Sequence, residues 1–241
     1  MRHIGILGHS AEGASLCFLA ACHEGEARLG AHLHPEITLT IAPLADSMEH
    51  WERMNLAAVR AILAGSVRRL AAAGADFFVC PDNTAHLALE APGPDLALPG
   101  LHIADIAAGA AARRGFACLG LLGTRWTMGG AAYANAFARH GLDHRLPPPD
   151  EREVINAIIF DELVRGIFSD VSRRRVAGMI AALKAEGCDA VALSCTEIPL
   201  LIGDADSPLP IIDSTRLLAK AAVDVALGEA SLPSWRGGAI A

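Results

Sequence analysis

Short apolar runs alternate with longer amphipathic stretches along the whole chain. In the first half His3–Leu7, Glu36–Ala42, Asp76–Val79 and Leu101–Ile103 are too short for helices and are bounded by Gly, Pro or polar residues. They read as buried strands. In the second half Phe116–Leu122, Asp143–Leu146, Asp189–Leu193 and Pro210–Asp213 have the same character. The stretches between them carry helical spacing. Ala14–Leu29 is the first predicted helix. After a loop, Pro43–Glu52, one long helix is expected over Trp51–Ala73, with Leu56, Val59, Ile62, Leu63, Val67 and Leu70 on its apolar side. Gly74 closes it as a C-cap. Further helices are expected through Tyr133–His140, stopped by Gly141, then over Glu151–Phe168, Arg173–Ala185 and Ser214–Leu227. The Gly- and Pro-containing tail beyond them is expected to be loose.

Strands alternating with helices predict an α/β protein whose parallel sheets carry helices on both faces. The alternation also repeats. Gly74–Thr84 and Gly187–Glu197 match position for position at an offset of 113, so that Asp82 aligns with Cys195. Gly5-Ile6-Leu7-Gly8-His9 is echoed by Gly120-Leu121-Leu122-Gly123-Thr124 at an offset of 115. The expected architecture is two pseudo-symmetric Rossmann-like lobes, each with a parallel sheet of about four strands. The first lobe is residues 1–104, with 214–241 packing back on it, and the second is 105–213. Ligands of open α/β sheets bind beyond the carboxyl ends of the strands, which places a site in a cleft between the lobes.

Composition narrows the function. The chain has 241 residues, 52% of them hydrophobic, enough for a sizeable core, and its net charge of −7 argues against a broad nucleic-acid surface. Six cysteines form no CxxC pair, and those at 118 and 188 lie in apolar runs that predict buried, inert thiols. The chain opens directly on a strand-like run, and no run of apolar residues is long enough to span a bilayer. A reducing, cytoplasmic setting is the expectation, with free thiols available for chemistry. His32 and His34 have no third ligand nearby in sequence, so no metal is assigned. The turn Gly8–Gly13 opens a helix but is not GxGxxG, and as a dinucleotide signature it is weak.

The candidate chemistry gathers at the predicted strand ends. Asp82 and Cys195 are ionisable groups at matching places in the two halves. Ser10, Asn83, Thr84, Thr124 and Thr196 are small polar residues suited to a carboxylate or an oxyanion. Arg53 follows the second strand and can pair with a second carboxylate of a substrate, while His86 and Glu197 are placed to orient Asp82 and Cys195. Asp82 has three readings at this stage: a proton donor and acceptor, a partner for a substrate ammonium group, or a helix N-cap. Cys80, two residues before it, reads as a packed core thiol.

Two α/β halves with matched acid/base motifs resemble the aspartate/glutamate/hydantoin racemase superfamily over nearly the whole chain, most closely its aspartate racemase branch. Asn83-Thr84-Ala85-His86 is similar to the end of the family's Cys-Asn-Thr-Ala-His, and Cys195-Thr196-Glu197 to its Cys-Thr-Glu. The residue before Asn83, where the family has its first cysteine, is Asp82, and His9 stands where many members have small or apolar residues. The resemblance implies a cofactor-independent racemase or epimerase of aspartate, glutamate or a related small carboxylate, with proton transfer between Asp82 and Cys195. It also implies a homodimer or higher homo-oligomer. The alternatives are a single-cysteine decarboxylase or isomerase of a small dicarboxylate, and a carboxylate-binding protein without turnover.

Overall fold

The computed structural model describes residues 1–240 and resolves the chain into two compact units, Met1–Ile103 with the segment beginning at Thr215, and Ala104–Ser214. Each unit is a four-stranded parallel sheet flanked by helices.

In the first unit the strands β1 (Ile4–Gly8), β2 (Ile37–Ile41), β3 (Phe77–Val79) and β4 (Gly100–Leu101) lie in the order β2-β1-β3-β4. Around them run α1 (Ala11–Leu29), α2 (Ala45–Glu52), α3 (Leu56–Ala72) and the short α4 (Ala85–Leu89). In the second unit α5 (Ile103–Arg113) leads into β5 (Cys118–Gly123), β6 (Asp143–Arg145), β7 (Ala190–Ser194) and β8 (Ile211–Asp213), ordered β6-β5-β7-β8. Its helices are α6 (Arg125–Gly129), α7 (Ala131–Arg139), α8 (Pro149–Ala157), α9 (Asp170–Ala185) and α10 (Ile198–Leu201). The last helix, α11 (Ser214–Leu227), belongs almost wholly to the first unit.

The duplication extends to side-chain detail. Asp76 accepts the backbone N–H of His3 at 2.7 Å, and Asp189, 113 positions on, accepts that of Ala117 at 2.7 Å. Each aspartate therefore ties the start of one central strand to its neighbour and helps set the register, Ile4 against Phe77 and Leu119 against Ala190. Gly74 and Gly187 have φ of 90° and 92°, a left-handed turn that needs no Cβ, and each swings the chain from a helix into the next strand. Gly5 and Gly120 lie under Leu70 and Leu183; a Cβ built on either would come within 3.1 Å and 2.8 Å of those leucines. The sheets consequently pack close to α3 and α9. Ile4, Ile6, Phe77 and Phe78 in one unit, and Leu119, Leu122, Val191 and Leu193 in the other, are fully buried.

Four expectations about the elements are corrected. The single helix over Trp51–Ala73 is two: α2 ends at Arg53, Met54 takes a φ of 51°, and Asn55 caps α3 by accepting the N–H of Ala58. A residue-by-residue apolar count runs through this break because Trp51 and Leu56 both face inward or partly so. The helix Glu151–Phe168 is α8 followed by a π-turn, Ile158–Glu162, and a 3-10 turn, Leu163–Arg165. The tail is also held: Leu96 and Gly100 donate backbone N–H groups to Arg236 and Trp235, and Gly238 donates to Leu89. Cys118 is half-buried rather than sealed, and its sulfur lies 3.9 Å from that of Cys188. No helix among the described residues is long and apolar enough to cross a membrane.

Candidate active site

In the first unit the site is built at the carboxyl end of β3. The strand stops at Val79, and Cys80 is fully buried, its thiol pKa pushed up by burial and then by the charge of Asp82. Pro81 turns the chain, and Asp82 Oδ1 accepts the N–H of Ala85 at 2.9 Å, a cap on the turn that opens α4. The other oxygen, Oδ2, lies 2.5 Å from Nδ1 of His9, the residue that follows β1. Burial alone would raise the carboxyl pKa of Asp82. The charge and hydrogen bond of His9 and the N–H of Ala85 outweigh it and hold the group below the ordinary carboxylate value.

His9 is itself anchored. Its Nε2 is 2.8 Å from Oγ of Ser47, and that hydroxyl donates to the carbonyl of Leu44 at 2.9 Å. Ser47 and Trp51 come from α2, with the indole 6.2 Å from the His9 ring. Ser47 was not singled out in the sequence because nothing in its local pattern distinguishes it from a surface serine. It is almost completely buried.

His86 supports the motif from below. Its Nδ1–H donates to the backbone carbonyl of Asp82 at 2.9 Å, and its Nε2 accepts the N–H of Ile103 at 3.3 Å. Those partners fix the neutral tautomer. Burial, then the neighbouring His102, lowers its pKa from 6.5 to about 3. The His86 ring stacks on Trp235 of the tail, with centroids 5.9 Å apart and planes at 12°. Asn83 and Thr84 are buried in the same turn, and Ser10 caps α1 by accepting the N–H of Gly13 at 3.3 Å.

In the second unit Cys195 follows β7 directly. Its Sγ–H donates to Glu197 Oε2 at 2.9 Å, and the Thr196 hydroxyl donates to the same oxygen at 3.1 Å. All three residues are buried. Thr124 caps α6 by accepting the N–H of Thr127 at 3.1 Å. The N–H of Arg125 is taken by Asn156 Oδ1 at 3.0 Å, a buried residue at the end of α8 that the sequence did not mark.

The structure thus brings together Asp82, Asn83, Thr84 and His86, and adds His9 and Ser47. In the other unit it brings together Cys195, Thr196 and Glu197. Arg53 stands apart. It is exposed at the end of α2 and turns back on its own helix to pair with Glu49 at 2.6 Å. The break at Met54 ends the helix there and leaves the side chain in solvent. Chemically, the first unit offers a carboxylate coupled to an imidazole, and the second a thiol hydrogen-bonded to a carboxylate. No group of three or more residues suited to hold a metal ion occurs among the described residues.

The fold agrees with what the chain is similar to. The family model for Asp/Glu/Hydantoin racemase matches residues 4–222, and the chain belongs to that family. An Asp/Glu racemase-like protein of Yersinia pestis has the same fold at a TM-score of 0.81 and 31% identity, covering 94% of this chain and 100% of that one. An aspartate racemase homologue from Pyrococcus horikoshii superposes at a TM-score of 0.76 with 25% identity, covering 94% and 100% respectively. Glutamate racemase of Pseudomonas entomophila is 35% identical over 135 residues, 53% of this chain. The match spans about half of that enzyme's length, 48%.

Proposed function

We propose that this protein is a cofactor-independent racemase or epimerase of aspartate, glutamate or a related small carboxylate, and that Asp82 and Cys195 exchange the α-proton. The observation that carries this reading is the equivalence of the two residues: each lies just beyond the second central strand of its unit, at the same place in an internal repeat. The family match over residues 4–222 supports the reaction class.

Racemisation needs a base on one face of the α-carbon and an acid on the other. In this reading Asp82 serves one face and Cys195 the other. Asp82 takes the position at which the resemblance places the family's first cysteine. Removing the α-proton develops charge on the substrate carboxylate, and donors fixed before the reaction stabilise it best. Ser10, Asn83, Thr84, Thr124 and Thr196 are the side chains assigned to that role. A cytoplasmic setting and a homodimer belong to the same proposal.

One observation favours a second reading. The carboxylate of Asp82 is held ionised by His9 and Ala85, and an ionised aspartate of low pKa is a weak base toward carbon. Cys195 would then act alone, and the reaction would be a decarboxylation or isomerisation of a small dicarboxylate.

The test is incubation of the protein with each enantiomer of aspartate and glutamate, and with small dicarboxylates, in heavy water. Deuterium entering the α-carbon with inversion is the expected result. Product without inversion of substrate would replace the racemase reading by the second one. Binding without exchange or turnover would remove both. A crystal structure of the complex should place the α-carbon between Asp82 and Cys195.

A further inference from the structure

His9 is the least expected member of the site, and its hydrogen bonds carry a conclusion about protons. The Ser47 hydroxyl has a single hydrogen, and the Leu44 carbonyl 2.9 Å away is a partner that can only accept it. With that hydrogen given to Leu44, Ser47 accepts from His9, an arrangement in which Nε2 carries a proton. Asp82 is a carboxylate already accepting from Ala85, and Nδ1 at 2.5 Å must donate to it. In that arrangement both ring nitrogens donate, which makes the buried His9 an imidazolium paired with Asp82.

We propose that the proton-exchanging group of the first unit is the Asp82–His9 pair acting as one, with His9 as the proton store and Ser47 as the anchor of its tautomer. The inference rests on the racemase reading above and deepens it. Asp82, the partly exposed member, meets the substrate; His9 is a positioning residue that works through it.

The pair first releases one proton to solvent, leaving Asp82 ionised and His9 neutral with Nε2–H still on Ser47. Asp82 accepts the proton from the α-carbon and passes it to Nδ1, breaking one C–H bond. The Cys195 thiol delivers its proton to the opposite face, forming the new C–H bond and leaving a thiolate. The reverse reaction starts from that thiolate, with the imidazolium refilling Asp82 as it protonates carbon. The proton taken from carbon thus ends on an imidazole, of reference pKa about 6.5, rather than on a carboxylate of about 3.9. This resolves the weakness of Asp82 as a lone base.

The other titratable groups around the pair leave this exchange to it. His86 acts electrostatically on Asp82, and Asp82 and Cys17 act on Cys80. Burial keeps the Cys80 thiol protonated and His86 neutral near pH 7. The Ser-His-Asp order of the three groups does not make Ser47 a nucleophile: it is sealed from solvent and its hydrogen points at Leu44.

The state of the ring is read directly by ¹⁵N NMR of histidine-labelled, ligand-free protein, with His9→Asn to assign the signal. Both His9 nitrogens should be protonated at pH 7, and Asp82→Asn should leave the ring neutral. A neutral His9 in the wild type overturns the inference whatever the enzyme's substrate. The kinetic arm uses α-deuterium exchange. His9→Asn keeps a donor toward Asp82 but removes the store, so kcat should fall about 10²-fold or more while KM changes by less than about threefold. The limb of the kcat–pH profile that belongs to the pair should vanish with it. An unchanged profile, or exchange at wild-type rate, overturns the inference while leaving Asp82 and Cys195 as the reacting groups. An imidazolium in a protein that exchanges no substrate proton would instead overturn the racemase reading and leave the pair standing.

Discussion

The sulfur of Cys195 donates to the carboxylate of Glu197 at 2.9 Å, two residues along the same turn and buried with it. A carboxylate at that distance favours the protonated thiol over the thiolate. The second unit is therefore arranged to hold a proton on sulfur, as the acid of the proposed pair. Glu197→Gln keeps the shape and removes the charge. Cys195 should then ionise more readily, and its alkylation by iodoacetamide, followed by peptide mass spectrometry, should reach half-maximal rate at lower pH than in the wild type. An unshifted midpoint would mean that Glu197 orients the thiol without tuning it.

Cys195 itself is tested by two substitutions. Cys195→Ala should abolish exchange and leave the circular dichroism spectrum unchanged, since the site is small and the loss of one sulfur leaves only a minor void. Cys195→Ser should lose at least about 10²-fold in kcat, because a hydroxyl is a far weaker acid than a thiol. Near wild-type exchange in either variant would move the chemistry to another residue.

Much of this arrangement was legible in the sequence, and the reason is the repeat. Gly74 and Gly187, and Asp76 and Asp189, recur at one spacing because each pair performs the same task in two copies of one topology, and Asp82 and Cys195 share that spacing. What escaped was contact between elements distant in sequence. Ser47 reaches His9 across the end of β1, and His9 reaches Asp82 from 73 residues away. Nothing in local periodicity encodes such a meeting. The tail departs from its expected looseness for a similar reason: Gly and Pro mark an irregular backbone, but irregular backbone is held firmly when its N–H and C=O groups find partners on other elements.

Trp235 makes that tail measurable. Its ring lies against His86, His102 and Phe78, and its backbone carbonyl accepts the N–H of Gly100. Trp235→Ala should cost on the order of 1–3 kcal/mol in urea unfolding, the scale of a large, partly buried side chain removed from its packing. It should also loosen the turn holding Asp82, seen as faster amide hydrogen exchange at 82–86. Loss of stability without faster exchange there would confine the tail to a purely global role.

Acid should destabilise the first unit through His86. The folded structure lowers its pKa from 6.5 to about 3, so between those values the unfolded chain binds a proton that the native chain refuses. Stability from this group is therefore complete above about pH 6.5 and is lost as pH falls toward 3, by about 1.4 kcal/mol per unit. Asp82, whose folded pKa lies below 3.8, adds its own loss as pH falls below about 3.8, at the lower end of the His86 window. The melting temperature should fall between pH 7 and pH 4. His86→Gln should melt lower at pH 7 but with a shallower fall, because the group that titrates is gone. Parallel curves for the two proteins would place the acid sensitivity elsewhere.

Asp82 decides between the two readings of the reaction. Asp82→Asn preserves the size of the side chain, and its amide oxygen can still accept the N–H of Ala85 that caps the turn. It removes the charge that holds His9 as an imidazolium and the oxygen that takes a proton. If Asp82 exchanges the α-proton, inversion should fall by roughly 10²–10⁴-fold, and α-deuterium exchange should become unequal for the two enantiomers. Only the enantiomer whose α-hydrogen faces Cys195 keeps a base, so exchange of that one with retention should survive. If Asp82 instead holds a substrate ammonium group, the Asn variant should show a raised KM with exchange at saturation intact. Measuring exchange and inversion for both enantiomers of aspartate and glutamate, at saturating and limiting concentration, separates these outcomes. Unchanged inversion at saturation would remove Asp82 from the proton path and leave Cys195 as the sole acid/base group.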